Sequence, residues 1–102
     1  MSAVIYEVNL QVRPDLAAAY LAWLHGHVAE ILALPGFEAA TIARDREATD
    51  DGWLQLCCHY RLRDADALET YLREHAPRLR ADGITRFGDG FRARRRILDL
   101  LG

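Results

Sequence analysis

The sequence predicts an α+β fold, a four-stranded antiparallel sheet with two helices on one face and elements in the order βαββαβ. Two stretches, residues 3–12 and 53–62, alternate between apolar and polar side chains, which is typical of half-buried strands. Two other stretches carry apolar residues at helical spacing. A chain of 102 residues has room for one hydrophobic core, so we expect a single domain over residues 1–102.

The first strand is predicted over residues 3–12, and its core-facing positions are Val4, Tyr6, Val8, Leu10 and Val12. A helix then begins at Pro14 and Asp15, because proline suits a first turn and an acidic side chain complements the helix dipole. The helix is predicted to end near Ala33, before Leu34-Pro35-Gly36. Its apolar stripe, expected to lie on the sheet, is Leu16, Tyr20, Leu24, His27, Val28 and Ile31.

The second half repeats this pattern. Phe37–Arg44 is a weaker strand, residues 45–52 form a polar hairpin loop, and residues 53–62 form the third strand, with Leu54, Leu56, Cys58, Tyr60 and Leu62 facing the core. Asp64 is a plausible N-cap of a second helix, which Pro77 breaks or restarts. Gly83 and the turn at residues 88–90 lead into a last strand, residues 91–100. This order is that of the ferredoxin-like fold.

The second helix and the segments after it resemble the domain-of-unknown-function family 4286. The matching motifs are YLREHAPRLR at residues 71–80, RFGDGF at 86–91 and RRIL at 95–98, with Trp23-Leu24, His27-Val28, Gly36-Phe37 and Tyr60 before them. This resemblance covers nearly the whole chain. It implies a small bacterial protein related in shape to dimeric ferredoxin-like barrels, a group that includes antibiotic-biosynthesis-type monooxygenases, and it brings no known reaction.

Composition and charge argue against two classes of partner. A net charge of -2 supplies no overall positive field for nucleic acid. The N-terminus lacks a basic region followed by an apolar run, and no apolar stretch approaches the roughly 20 residues that cross a bilayer, so we expect a cytoplasmic protein with no membrane partner. Cys57 and Cys58 are neighbours on a strand, where they point to opposite faces and are expected to stay reduced.

A candidate ligand pocket arises where the two helices lie side by side on the sheet. The residues expected to line it are Trp23, His27, Tyr60 and His75. His27 is either a neutral, hydrogen-bonded core histidine or a group that binds a ligand or transfers a proton. The alternative for the whole region is a filled core whose polar tips are satisfied by backbone groups or water.

Arg92, Arg94 and Arg96 share one face of the last strand, with Arg95 on the other, and they form a candidate anion site. The alternative is that these long charged side chains protect an edge strand and pair with acidic groups. His25 and His27 point about 200° apart on a helix and cannot share one ion. We therefore expect no metal and no cofactor.

Two surfaces favour a homodimer. The first is the sheet face opposite the helices, where Ile5, Trp53 and Cys57 lie among polar groups; the second is an alanine-rich helix face with Ala18, Ala19, Ala22, Gly26 and Ala29. The function predicted is binding of a small apolar or aromatic molecule between helices and sheet, with at most a monooxygenase-type activity. The alternative is a structural or protein-interaction module with a filled core. The sequence supports both, and it leaves open whether the protein is an enzyme.

Overall fold

Four strands form one antiparallel sheet in the order β2-β3-β1-β4. The computed structural model describes residues 2–47 and 51–102. The strands are β1 Val4–Val12, β2 Phe37–Arg44, β3 Leu54–Leu62 and β4 Phe91–Asp99. These bounds confirm the predicted strands to within one residue at each end. Of the predicted loop over residues 45–52, residues 48–50 lie outside the described part of the chain.

The helices differ from the prediction in number. A short 3₁₀ helix, Pro14–Leu16, precedes α1, Ala17–Leu32. The predicted second helix is two helices, α2 Ala65–Glu74 and α3 Ala76–Phe87, with His75 between them at φ -121° and ψ -39°. Pro77 lies in the first turn of α3. Of the two outcomes expected for this proline, a break or a restart of the helix, the structure shows a restart.

Gly83 lies inside α3, whereas the sequence predicted that it belongs to the connection before the last strand. A Cβ atom at this position would lie 3.1 Å from the Trp23 ring and 3.6 Å from the Phe91 ring. A glycine interior to a helix costs roughly 1 kcal/mol relative to alanine. Here the absence of a side chain lets the Trp23 indole of α1 pack against the α3 backbone.

Asp64 caps α2 as predicted. Its backbone is extended, at φ -162° and ψ 175°, and its carboxylate accepts a hydrogen bond of 2.9 Å from the backbone N–H of Ala67. This satisfies one of the N–H groups that the first turn of a helix leaves without an internal partner. Asp64 is buried, so the cap fixes α2 against the end of β3.

The hydrophobic core lies between the helices and one face of the sheet. Val4, Tyr6, Leu24 and Leu56 are buried in it, and Val8 packs against it. The opposite sheet face, here called the open face, has the polar positions of the strands. Its register places Glu7 between His59 of β3 and Arg96 of β4. Within the described residues, no helix is both long enough and apolar enough to cross a membrane.

Candidate ligand cavity between helices and sheet

A cavity of about 290 Å³ lies between α1, α3 and the sheet. Strands β1, β3 and β4 form its floor, and α1 and α3 form its walls. Aliphatic and aromatic side chains line it in similar numbers, and the aromatic ones are Tyr6, Tyr20, Trp23, Tyr60, Tyr71 and Phe91. The volume falls at the lower end of the range of roughly 300–1,000 Å³ for small-molecule sites. The interior is therefore not completely filled by side chains.

Trp23 and His27 form one wall, because they lie one helical turn apart on α1. Their rings stack with centroids 4.4 Å apart. The indole N–H of Trp23 donates a hydrogen bond of 3.2 Å to Asp82 on α3, and Asp82 also accepts one from Arg86. These contacts fix the indole between α1 and α3. Burial lowers the pKa of His27, so its imidazole is neutral at pH 7.

Four tyrosines are among the polar residues that line the cavity. Burial raises the phenol pKa of Tyr20 and Tyr60, and it raises that of Tyr71 to about 12, so all three are neutral. None of these three hydroxyls hydrogen-bonds to another described residue. Among the described residues, however, every side-chain oxygen sealed from solvent has a partner. The three phenol oxygens therefore contact accessible space, and they can bond a ligand.

The cavity reaches the surface between α3 and β4. Four of its lining residues are exposed there: Arg80 and Ile84 on α3, Gly88 directly after α3, and Arg95 on β4. Arg80 donates a hydrogen bond of 2.9 Å to the Tyr6 hydroxyl on β1, which ties α3 to the sheet beside the opening. We call this opening the mouth of the cavity.

Three of the four residues predicted for the pocket share this cavity, namely Trp23, His27 and Tyr60. His75 lies outside the residues that line it, and its ring stacks on Tyr71 at a centroid distance of 6.5 Å. His75 lies between α2 and α3 and belongs to neither helix, so the helical spacing of α2 does not determine the direction of its side chain. Tyr71 occupies the expected place instead.

The cavity also has three lining residues that were not predicted from the sequence: Arg80, Gly83 and Arg95. A signal for Arg95 was present, since strand alternation separates it from Arg94 and Arg96. For Arg80 and Gly83 the signal was hidden, because their direction depends on where α3 begins.

The three arginines predicted as an anion site lie on the open face. Arg92 contacts Gln11 at 3.2 Å and Asp51 at 3.4 Å, and its guanidinium lies 3.9 Å from the centre of the Trp53 ring. Arg96 pairs with Glu7, and Arg94 lies opposite Asn9 in the register. Two of the three charges are thus engaged within the protein. These contacts favour salt bridging, the alternative considered from the sequence.

Glu7 is the centre of a polar cluster on the open face. Its side chain is buried, and its carboxylate accepts hydrogen bonds from Arg96 Nε at 2.5 Å and Asn9 Nδ2 at 2.8 Å. His59 Nε2 lies 2.7 Å from the other oxygen. The hydrogen bonds from Arg96, Asn9 and His59 lower the pKa of Glu7 from 4.5 to about 2. The carboxylate is therefore ionised at all physiological pH values.

Glu7, Cys57 and His59 bring three potential metal-ligand atoms within 4.8 Å of one another. Arg96, however, bonds both oxygens of Glu7 and places a guanidinium beside the position a cation would take. Burial also raises the pKa of Cys57, which keeps its thiol protonated. The cluster is thus better suited to an internal ion pair than to a metal ion.

The order of elements, the antiparallel sheet and the helices on one face define the chain as a ferredoxin-like α+β protein with an aromatic cavity under its helices. The family model described as Domain of unknown function (DUF4286) matches residues 3–101, and the chain belongs to this family. No curated protein matches the chain in sequence.

Solved structures share the fold at low sequence identity. SnoaB, a cofactor-independent oxygenase from Streptomyces nogalater, is 17% identical with a TM-score of 0.74, over 100% of this chain and 96% of its own. A dimeric ferredoxin-like protein from an uncultured marine organism is 5% identical with a TM-score of 0.78, over 100% and 98%. A Bacillus cereus protein whose name assigns it to the antibiotic biosynthesis monooxygenases is 10% identical with a TM-score of 0.69, over 100% and 96%.

Proposed function

We propose that this protein binds a small aromatic molecule in the cavity between α1, α3 and the sheet. The observation that carries the proposal is the cavity itself, about 290 Å³ in volume, with six aromatic residues among those that line it. Aromatic ligands gain roughly 0.5–1.5 kcal/mol per ring contact beyond the burial of their area. Three phenol hydroxyls without a partner among the described residues, those of Tyr20, Tyr60 and Tyr71, offer hydrogen bonds to polar substituents.

The alternative, an interaction module with a filled core, requires that side chains occupy this space. Tyr20 and Tyr60 are almost completely buried, yet an opening persists beside them. Side chains that border unfilled space lack packing partners on that side and lose dispersion energy. A ligand that fills the space recovers part of this energy, which supports the binding function over the module.

Tryptophan fluorescence tests binding directly, since Trp23 lines the cavity and the chain has only two tryptophans. In a Trp53→Phe background, titration with naphthol is expected to change Trp23 emission saturably. Ala93→Phe places a ring in the cavity from β4 and is expected to weaken binding at least tenfold. Ala81→Phe, at an exposed position of α3 that does not line the cavity, is the matched control. Equal affinities of the two variants, or no saturable change in the parent, would refute the proposal.

A monooxygenase-type activity is the second candidate, and His27 is the observation that favours it. A neutral imidazole that lines an aromatic cavity can accept a proton from a bound ligand. Two of the structural neighbours are named as an oxygenase and a monooxygenase. Oxygen consumption with dihydroxynaphthalene should then depend on His27, with His27→Ala removing turnover while leaving binding within about threefold. Undetectable oxygen uptake with the unmodified protein would leave binding as the whole function.

We further propose a homodimer formed through the open face. Ile5, Cys57 and Leu98 place apolar area among the polar groups of this face, and its buried carboxylate, Glu7, already has Arg96 as counter-ion, so a partner can cover this ion pair without leaving Glu7 unpaired. One structural neighbour is a dimeric ferredoxin-like protein. On the alanine-rich helix face, a Cβ at Gly26 would meet no atom of the described residues within 4 Å, so close packing among them does not account for this glycine.

Light scattering at micromolar concentration tests the dimer, with the mass of two chains expected. Cys57→Arg introduces a charge at the centre of the open face and is expected to shift the mass toward one chain. Ala22→Arg, on α1, should leave it unchanged. A mass of one chain at every concentration, or dissociation by Ala22→Arg alone, would contradict this interface. We also propose a reducing, cytoplasmic location, which the two free cysteines support.

A further inference from the structure

The charged groups that line the cavity are all positive. They are Arg80 and Arg95, both at the mouth, and no Asp or Glu lines the cavity within the described residues. Asp82 lies nearby but is bonded to Trp23 and Arg86. A cavity with apolar walls strengthens the field of such cations, since little water screens them. Its electrostatic preference is for a negatively charged ligand.

Arg95 differs from the arginines beside it on β4. Arg92 and Arg96 make ion pairs with Asp51 and Glu7, whereas Arg95 makes no ion pair or hydrogen bond with any described residue. The register places Arg95 opposite Val8, on the helix side of the sheet, and it lines the cavity. Burial raises the pKa of Tyr20, and the charge of Arg95 acts in the opposite direction. Burial lowers the pKa of His27; Glu30 and Asp82 act to raise it, and Arg95 acts more weakly to lower it.

Arg80 and Tyr6 add a second recognition element at the mouth. Arg80 Nη2 donates to the Tyr6 oxygen, so the Tyr6 hydroxyl hydrogen remains available to a ligand. A guanidinium has five N–H groups, and this contact uses one of them. An anionic oxygen at the mouth can thus meet Arg95, Arg80 and the Tyr6 hydroxyl, a combination typical of carboxylate recognition.

We propose that the ligand is an aromatic carboxylate, whose ring enters the cavity beside Trp23 and whose carboxylate stays at the mouth on Arg95. This inference rests on the proposed binding function and adds the charge and orientation of the ligand. Arg95 is then the residue that determines specificity for an acid over a neutral compound of the same shape. Partial exposure at the mouth keeps the carboxylate in contact with water, which limits the cost of removing it from solvent.

Naphthoate and its neutral amide, naphthamide, test this inference because they differ in charge and little in shape. The unmodified protein is expected to bind naphthoate at least tenfold more tightly than naphthamide at pH 7. Arg95→Gln should abolish this preference while changing the affinity for naphthamide less than twofold. Arg94→Gln removes the same charge one residue away, on the open face, and should preserve the preference.

The outcomes separate this inference from the binding function. If the unmodified protein binds both compounds equally, or if Arg95→Gln keeps the preference, specificity for carboxylates is refuted and binding in the cavity stands. If neither compound binds, both proposals fail. Because Arg95 makes no ion pair or hydrogen bond within the described part of the chain, Arg95→Gln should unfold at the same urea concentration as the parent, so that a lost preference reports recognition.

Discussion

Glu7 gives a prediction that can be worked out from its contacts. Hydrogen bonds from Arg96, Asn9 and His59 lower its pKa from 4.5 to about 2. A carboxylate whose pKa is lower in the folded state stabilises the fold above its unfolded pKa, and this contribution is lost as pH falls. For Glu7 the contribution is complete above about pH 5 and disappears between about pH 4.5 and pH 2.

The full difference in pKa would correspond to roughly 3 kcal/mol. Solvent reduces this value, because the side chains of Arg96 and His59 are 59% and 41% exposed. We therefore expect Glu7→Gln, which keeps the shape and removes the charge, to lower the free energy of unfolding by about 1–2 kcal/mol at pH 7. The difference from the unmodified protein should shrink as pH falls below about 4.5, where Glu7 of the unfolded chain takes up a proton, and should be nearly gone at about pH 2.

Urea denaturation at pH 7 and at pH 2.5, at one protein concentration, measures both differences. Glu38→Gln is the matched control, because Glu38 pairs with Arg61 in an exposed bridge worth less than about 0.5 kcal/mol. The reasoning fails if Glu7→Gln unfolds at the same urea concentration as its parent at pH 7, or if its deficit is undiminished at pH 2.5.

Four further predictions concern the core, a turn, a cap and a partner. Leu56→Ala, at a buried core position, should cost about 2–5 kcal/mol in urea titration, and a loss below about 1 kcal/mol would contradict its placement. Gly36→Ala should lower the free energy of unfolding by more than about 1 kcal/mol, because Gly36 has φ +87° and the new Cβ would lie 2.5 Å from that of Ala67; full stability would refute this clash. Asp64→Ala should cost about 1 kcal/mol through the lost cap, with Asp64→Asn retaining most of it, and equal losses would argue against capping. Oligonucleotides should not bind at physiological salt, which salt-dependent micromolar affinity in fluorescence anisotropy would disprove.

Much of the fold was predictable because its strands alternate strongly. Where apolar and polar residues exchange at every position, as from Tyr6 to Val12, only one face can enter the core, so strand and direction follow together. The break at His75 was harder to locate. Pro77 signals an interruption, yet a proline is compatible with the first turn of a new helix, and the residue at which the chain changes direction depends on packing against the sheet.

The candidate site was predictable only where side-chain direction follows from a single uninterrupted element. Trp23 and His27 lie on one helix, and Tyr60 lies on a regular strand, so all three reach the cavity as expected. His75 was placed wrongly because its direction was extrapolated across a helix end. The contributions of Arg80 and Gly83 depend on the starting point of α3, which no local pattern specified.

Strand register links the fold to the chemistry proposed for the cavity. Arg94, Arg95 and Arg96 are consecutive in β4, and strand alternation places Arg94 and Arg96 on the open face and Arg95 on the helix side. On the open face Glu7 neutralises Arg96, whereas the cavity offers Arg95 no carboxylate. A slip of β4 by one residue would exchange these environments. Arg95 would then lie beside Glu7 on the open face, and Arg94 would face the cavity. The pairing of β1 with β4 therefore determines which arginine remains available to an anionic ligand.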